Sequence, residues 1–447
     1  MEISKDNILK DDMGFLFKKL AIPGIIGMFA LGLYNFVDAI FIGQFVSKEG
    51  LGAITLAYTI VLINQSITTL FGNGAMSVLS RAIGKNDSNK IEKIAGNVLI
   101  LTFLFSLILT IIVNVYAENI ISFLGGKNEI LNLAVDYVKV LSLGFVFASS
   151  GPALNFLIRA EGRMKTAMKM VFISIFMNII LDPIFIIGFK LGIKGAAWAT
   201  VISQITYFII NILYIQKSSS YAKIKSFNLN FDIILNILNP GISAMALNIV
   251  AIIQQIIIFR LLAKYGGDFH IIIMGTCLRV FMFFYTPLWG IGQALASVSG
   301  INYGAGNVHR TYFSLKYFNI IGTIISFMCW LIFMLFPEFI LSLFINNTEY
   351  IVDGAPLFRI LLSVFFIYSI EVNYISFFQA LGKGLHASIL TIGRLVIIFI
   401  PSVYILSYFM QSDGIWISLP LADILITITG AILIKILKTK QMKRVTL

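Results

Sequence analysis

Apolar runs of about twenty residues recur from one end of this chain to the other, each long enough to cross a bilayer as a helix. Backbone inside hydrocarbon must satisfy its own hydrogen bonds, so such runs predict α-helices. A water-soluble fold is excluded. Charged residues make up 12% of the 447 and hydrophobic residues 58%, about half the charge of a soluble domain. At this length a soluble protein would need far more polar surface.

Helices are expected at 15–46, 51–80, 92–117, 130–158, 165–190 and 193–216, then at 235–264, 268–302, 313–343, 350–381, 386–410 and 413–437. Between the two sets lies the longest polar connection, Gln216 to Asp232. It predicts an N-terminal six-helix lobe (1–216), a linker (217–234) and a C-terminal six-helix lobe (235–447). The first twenty residues carry both signs of charge and no small-residue cleavage site, so they do not read as a secretory signal.

The net charge of +12 has a cause other than nucleic acid, because cytoplasmic loops of membrane proteins collect Lys and Arg. With the N-terminus inside, one face carries roughly 23 basic residues against about 5 on the other. The heavy face includes Lys5, Arg81, Lys85, Arg159, Arg163, Arg310, Lys383 and the C-terminal run from Lys435 to Arg444. Both termini are therefore expected in the cytoplasm, with the chain in the inner (plasma) membrane. The two cysteines, Cys277 and Cys329, fall in apolar runs and read as small hydrophobes.

The halves match each other at an offset of 217–220 residues. Pro23-Gly24 answers Pro240-Gly241, and SRAIGKND (80–87) answers GINYGAGN (300–307). Arg159-Ala160-Glu161-Gly162-Arg163 answers Gln379-Ala380-Leu381-Gly382-Lys383, and GAAW (195–198) answers GIW (414–416). Six helices separate equivalent points, so the repeats run parallel and a pseudo-two-fold axis lies along the membrane normal. The expected fold is an all-α membrane protein of twelve transmembrane helices in two such lobes, suited to rocking between inward and outward states.

Ionisable residues deep in a span are costly and mark function by default. Asp38 (LYNFVDAIFIG) and Asp182 (MNIILDPIFIIG) fall roughly 12 Å and 9 Å below the same outer boundary at 1.5 Å per residue. Asn178 shares a helix face with Asp182, and Thr200 and Tyr137 reach the same depth. Pro183 is expected to leave the Ile179 carbonyl free. Carboxylate, amide, hydroxyl and carbonyl oxygens suit a hard cation, whereas a close pair of carboxylates suits a proton. Asp38, Asn178, Asp182 and Thr200 are thus candidate Na⁺ ligands or a proton site. A structural alternative is neutralisation of these acids by Lys139 or another basic neighbour.

YNFVDAIFIGQ (34–44), NIILDPIFIIG (178–188) and IKGAAWATVISQ (193–204) together resemble the multidrug and toxic compound extrusion (MATE) family, in its DinF-like and MepA-like branch. The resemblance covers essentially the whole chain. It implies export of amphipathic, often cationic compounds in exchange for H⁺ or Na⁺. It also places a cation site on Asp38, Asn178, Asp182 and Thr200, with Tyr137 adjacent. One departure concerns the seventh helix, where sodium-coupled relatives carry an acid and this chain reads Gln254-Gln255. By the repeat, Gln255 answers Asp38. Glu371 in the tenth helix is either a second coupling or substrate group, or the partner of Arg279 or Arg394; Asp423 reads as structural.

His270, His309 and His386 are too scattered for a metal site, and no phosphate-binding loop is present. The expectation is a transporter rather than an enzyme, needing no cofactor beyond the coupling ion and working as a monomer in the bilayer. A flippase for a lipid-linked precursor is the alternative, and it requires a strongly basic central cavity.

Overall fold

The computed structural model of the chain describes residues 3–45, 48–345 and 347–445, with side chains described except at 34–45, 48–49, 51 and 443–445. Among the described residues the helical segments group into twelve helices. A short N-terminal helix, Lys5–Lys10, and a turn at Met13–Leu16 lead through a π-helical Phe17–Ala21 into α1 (Ile22–Phe45). There follow α2 (Lys48–Lys85), α3 (Ser88–Phe123), α4 (Asn128–Ser142 and Phe145–Ala160), α5 (Met164–Pro183, ending in π-helical Ile184–Gly188) and α6 (Gly192–Lys217). The second set is α7 (Phe231–Tyr265), α8 (Gly267–Gly304), α9 (Val308–Leu335) and α10 (Thr348–Leu362 and Tyr368–Ala380). The helix α11 starts at Gly384–Gly393, passes through π-helical Arg394–Phe399 and runs to Gln411, where α12 begins and continues to Val445.

Two features reconcile the apolar stretches with twelve crossings. Among the described residues ten helices are long and apolar enough to span, and the two arms of α4, bent by 53°, make an eleventh. One of the ten is a 59-residue stretch, Gly384–Met442, which would be about 88 Å long if straight and cannot be one crossing. It breaks at Gln411 (φ 50°, ψ −125°), a left-handed position inside an otherwise helical run, and so supplies two spans.

Several expected helices are interrupted, the bent fourth among them. The ninth ends at Leu335, because Phe336 leaves helical geometry (φ −126°, ψ 44°) and Pro337 starts a separate short helix, Pro337–Ser342. Val364 (φ −108°, ψ 16°) interrupts the tenth and a single 3₁₀ turn, Phe365–Ile367, follows. In the fifth, Pro183 lacks an N–H and the next turn widens to π geometry.

Repeat-equivalent loops adopt the same backbone. Asp87 caps α3 through the Lys90 N–H (3.1 Å), and Asn307, 220 positions on, caps α9 through the Arg310 N–H (3.2 Å). Gly162 and Gly382 both hold a left-handed φ (80° and 69°) where α4 and α10 turn into the next helix, a conformation open to glycine at little cost. The loop glycines thus follow from the backbone both lobes need.

No helix is formed between Lys217 and Phe231. That connection is tied down by Glu161, which is 3% exposed. Its Oε1 accepts from the Ser219 hydroxyl (2.5 Å) and from the Tyr221 and Ala222 N–H groups (2.9 and 2.7 Å).

The lobes meet through α1 against α8 and through α2 against α7 and α8. The inter-lobe contacts recorded among the described residues run from the end that carries the basic loops to about the middle of the helices, where Asn248 reaches Thr69 (3.4 Å) and Phe29 packs against Phe283 (ring centroids 4.9 Å apart). At the basic-loop end the helices touch backbone to backbone. A Cβ on Gly84 would sit 2.2 Å from the Ile301 carbonyl oxygen, and one on Gly304 would sit 2.2 Å from that of Arg81. The hydrogen bonds follow the repeat: Ser77 of α2 donates to the Gln379 carbonyl at the end of α10, and Ser297 of α8 donates to the Ala160 carbonyl (3.4 Å) at the end of α4. Arg81 donates to the Ala380 carbonyl (3.0 Å), and Arg159 donates to Gln293.

Candidate cation site

In the N-terminal lobe the local sequence builds a buried polar point at the C-terminal end of α5. Asn178 and Asp182 lie one helical turn apart on a single face, and both are 1% exposed. The Asn178 amide satisfies both of its ends when it donates to Asp182 Oδ2 (3.0 Å) and accepts from the Thr200 N–H (3.3 Å). The Thr200 hydroxyl donates to the Ala196 carbonyl (3.0 Å), which leaves its lone pairs available. Tyr137 of α4 is buried, and it shares an apolar cluster with Ile186 of α5 and Ala196, Ala197 and Val201 of α6. Three elements therefore converge here. The π-helical turn after Pro183 lies directly beyond Asp182.

These donors fit a small hard cation: carboxylate and amide oxygens plus a hydroxyl, with no thiolate or imidazole. The Asp182 carboxyl can equally hold a proton. Asp38 lies on α1, but its side chain falls outside the described residues.

The C-terminal lobe holds a second buried cluster of a different kind. Arg394, at the start of the π-helical segment of α11, places Nη2 2.5 Å from Asp423 Oδ1 of α12 and Nε 3.8 Å from Glu371 Oε1 of α10. Its Nη1 donates to Gln254 Oε1 of α7 (2.9 Å), and the Tyr368 hydroxyl donates to Asp423 Oδ2. Tyr368 also packs against Tyr285 with ring centroids 5.6 Å apart, and Tyr285 against Trp289 at 6.2 Å. Of the two sequence alternatives for pairing Glu371, Arg394 is the one formed.

Sequence reasoning missed part of this cluster. Gln255, matched to Asp38 by the repeat, has an exposed side chain, and its neighbour Gln254 reaches the guanidinium instead. Helical neighbours point about 100° apart, so a one-residue slip in the repeat register selects the wrong face. Tyr368 gave no signal at all. The readable clue was Arg394 with Asp423, two opposite charges in adjacent apolar spans, which inside a membrane must find partners.

Two repeated six-helix lobes that meet face to face, with ionisable groups buried inside each, define a polytopic membrane transporter. The MatE family model matches residues 23–184 and 243–405, and the chain belongs to that family, the multidrug and toxic compound extrusion transporters. The second match begins 220 positions after the first, the displacement of the internal repeat. Among curated proteins, the multidrug export protein MepA of Staphylococcus aureus (strain MSSA476) is 25% identical over 443 residues, covering 97% of this chain and 98% of its own. A crystal structure of MATE in the bent conformation superposes with a TM-score of 0.93 at 25% identity over 100% of both chains. An outward-facing multidrug resistance MATE transporter of the MOP superfamily gives 0.92 at 24% identity over 99% of each and shares the fold.

Proposed function

We propose that this transporter exports amphipathic, often cationic small molecules across the plasma membrane in exchange for H⁺ or Na⁺. The observation that carries the reading is the Asp182 carboxyl, 1% exposed inside a span and held by the Asn178 amide, which also reaches Thr200. A carboxyl kept at that depth is costly unless it has work to do. Asp38, Asn178, Asp182 and Thr200 would take the coupling ion, with Tyr137 beside them, and the ion's release and uptake would set the balance between lobe arrangements. A cation shifts that balance only by its differential affinity for the two states. The likeness to MepA, a multidrug export protein, supports a broad small-molecule substrate range.

In this reading residues 1–216 and 235–447 rock as two bodies about the connection at 217–234. Both termini lie in the cytoplasm with the basic loops, so the clasped end is the cytoplasmic one. The chain works as a monomer, by transport rather than catalysis, with the coupling ion as its only cofactor. The test is efflux of a fluorescent cationic dye from proteoliposomes under an imposed H⁺ gradient and then an Na⁺ gradient. Wild type should respond to at least one gradient and Asp182→Asn to neither. Equal transport by both proteins would remove the coupling role and favour a flippase for a lipid-linked precursor.

A further inference from the structure

Where α8 ends, α9 starts, α11 starts and the C-terminal part of α12 passes, there is a cavity of about 420 Å³. Its polar wall is Lys383, His386, Lys440, Gln441 and Tyr303, and Ile436 and Leu437 form an apolar side. None of the residues that line it is acidic. The site is built. Gln441 accepts from the Tyr312 hydroxyl (2.8 Å) and donates to that of Tyr303 (3.3 Å), which pins α12 against α8 and α9. The Lys438 ammonium lies over the Tyr312 ring, 5.9 Å from its centroid, and adds a further positive charge nearby.

A comparison with the other lobe shows what is missing. Lys383 answers Arg163 in the repeat. Arg163 has an internal counter-charge, Glu161, with Nε 3.5 Å from Oε2. The position that answers Glu161 is Leu381, so the C-terminal loop keeps the cation and lacks the acid. Among the described residues neither Lys383 nor Lys440 meets a carboxylate. The cavity thus concentrates positive charge that no described carboxylate neutralises.

We propose that this cavity binds the phosphate of an anionic phospholipid headgroup. Basic pockets between helices at the membrane edge hold such headgroups. The position fits, because the apolar run of α12 gives way here to Lys435, Lys438 and Lys440. Room for the acyl chains follows from the same helix. Ile428, Ile432 and Ile436 are 52%, 54% and 60% exposed, and at a spacing of four they form one stripe leading from the cavity toward the apolar part of α12. A soluble phosphate compound would use the polar wall and leave that stripe idle. The site is separate from the coupling-ion pocket and does not depend on which ion drives transport.

Native mass spectrometry of the full chain in detergent tests this, with dioleoyl phosphatidylglycerol, dioleoyl phosphatidylcholine and glycerol 3-phosphate as probes. Phosphatidylglycerol should bind on the order of tenfold more tightly than phosphatidylcholine. The double variant Lys383→Gln/Lys440→Gln should lose that preference. Lys85→Gln/Lys90→Gln, which removes two exposed lysines of the other lobe, should keep it. A preference retained in the first pair overturns the proposal. So does displacement of the lipid by equimolar glycerol 3-phosphate, which would mark the cavity as a site for a free anion. All four substituted lysines are solvent-accessible, and unchanged melting temperatures would confirm that the variants fold.

Discussion

The two lobes repeat one backbone but treat buried charge in different ways. In the N-terminal lobe Asp182 meets the Asn178 amide, which in turn reaches Thr200. In the C-terminal lobe Glu371 and Asp423 share a guanidinium. Aligning Pro183 with Pro401 puts Ile400 where Asp182 stands and Arg394 where Phe176 stands. The eleventh helix has thus lost the acid of the fifth and gained a base two turns earlier. Polar neighbours of the first kind leave a carboxyl able to exchange a proton or a metal ion. A resident guanidinium is a cation that cannot leave, and Arg stays charged at any accessible pH. The comparison teaches that a duplicated fold can hold a carboxyl among neutral polar groups in one lobe and a fixed ion pair in the other.

The largest effect that would break this contrast is on transport. Asp182→Asn should abolish gradient-driven dye efflux while changing the melting temperature little, since an amide can still pair with Asn178. Asp423→Asn should act in the reverse sense, lowering stability while the remaining folded protein still responds to the gradient. Complete loss of coupling in Asp423→Asn at full stability would make the C-terminal cluster part of the ion pathway.

Next in size is the guanidinium itself. Removing one partner of a buried ion pair costs about 3–5 kcal/mol, because the other charge stays behind unpaired. Arg394→Ala should therefore unfold at much lower temperature in a detergent melt. Adding Glu371→Gln and Asp423→Asn should recover a good part of the loss, because the stranded carboxylates are then gone. An Arg394→Ala protein as stable as wild type would show that the pair does not hold the lobe together.

How much of this could be read from the sequence differs between the same two lobes. The helix count, the repeat and the Asn178–Asp182–Thr200 set were legible because each rests on a local period: twenty apolar residues, an offset of 217–220, a spacing of four. The C-terminal cluster draws on α7, α10, α11 and α12, and no local period links Gln254 to Arg394 or Tyr368 to Asp423. The gap expected between 410 and 413 holds the break at Gln411, but the breaks at Phe336 and Val364 were hidden for a related reason. Hydropathy persists through them, and only Pro337 gave a residue-level sign. The clasp between lobes was written in the repeat, since Ser77 and Ser297 are equivalent, but its meaning required knowing that both face a carbonyl of the other lobe.

A smaller effect probes that clasp, which the two lobes share rather than divide. Ser77→Ala and Ser297→Ala remove side-chain hydrogen bonds across the interface, and a neutral bond of this kind contributes about 0.5–1.5 kcal/mol net. Such changes should leave the fold of each lobe intact, because neither serine's inter-lobe bond belongs to its own lobe's core. They should instead shift the balance between clasped and parted lobes. Spin labels placed at the basic-loop ends of α2 and α8 would report a larger share of long distances in either variant. Ser77 also accepts from Arg81 (2.7 Å), which in turn holds the Ala380 carbonyl, whereas no such arginine stands at Ile301, the position equivalent to Arg81. Ser77→Ala should therefore open the clasp more than Ser297→Ala. Equal shifts would mean that the arginine adds nothing and that the backbone contact of Gly84 with Gly304 carries the closure.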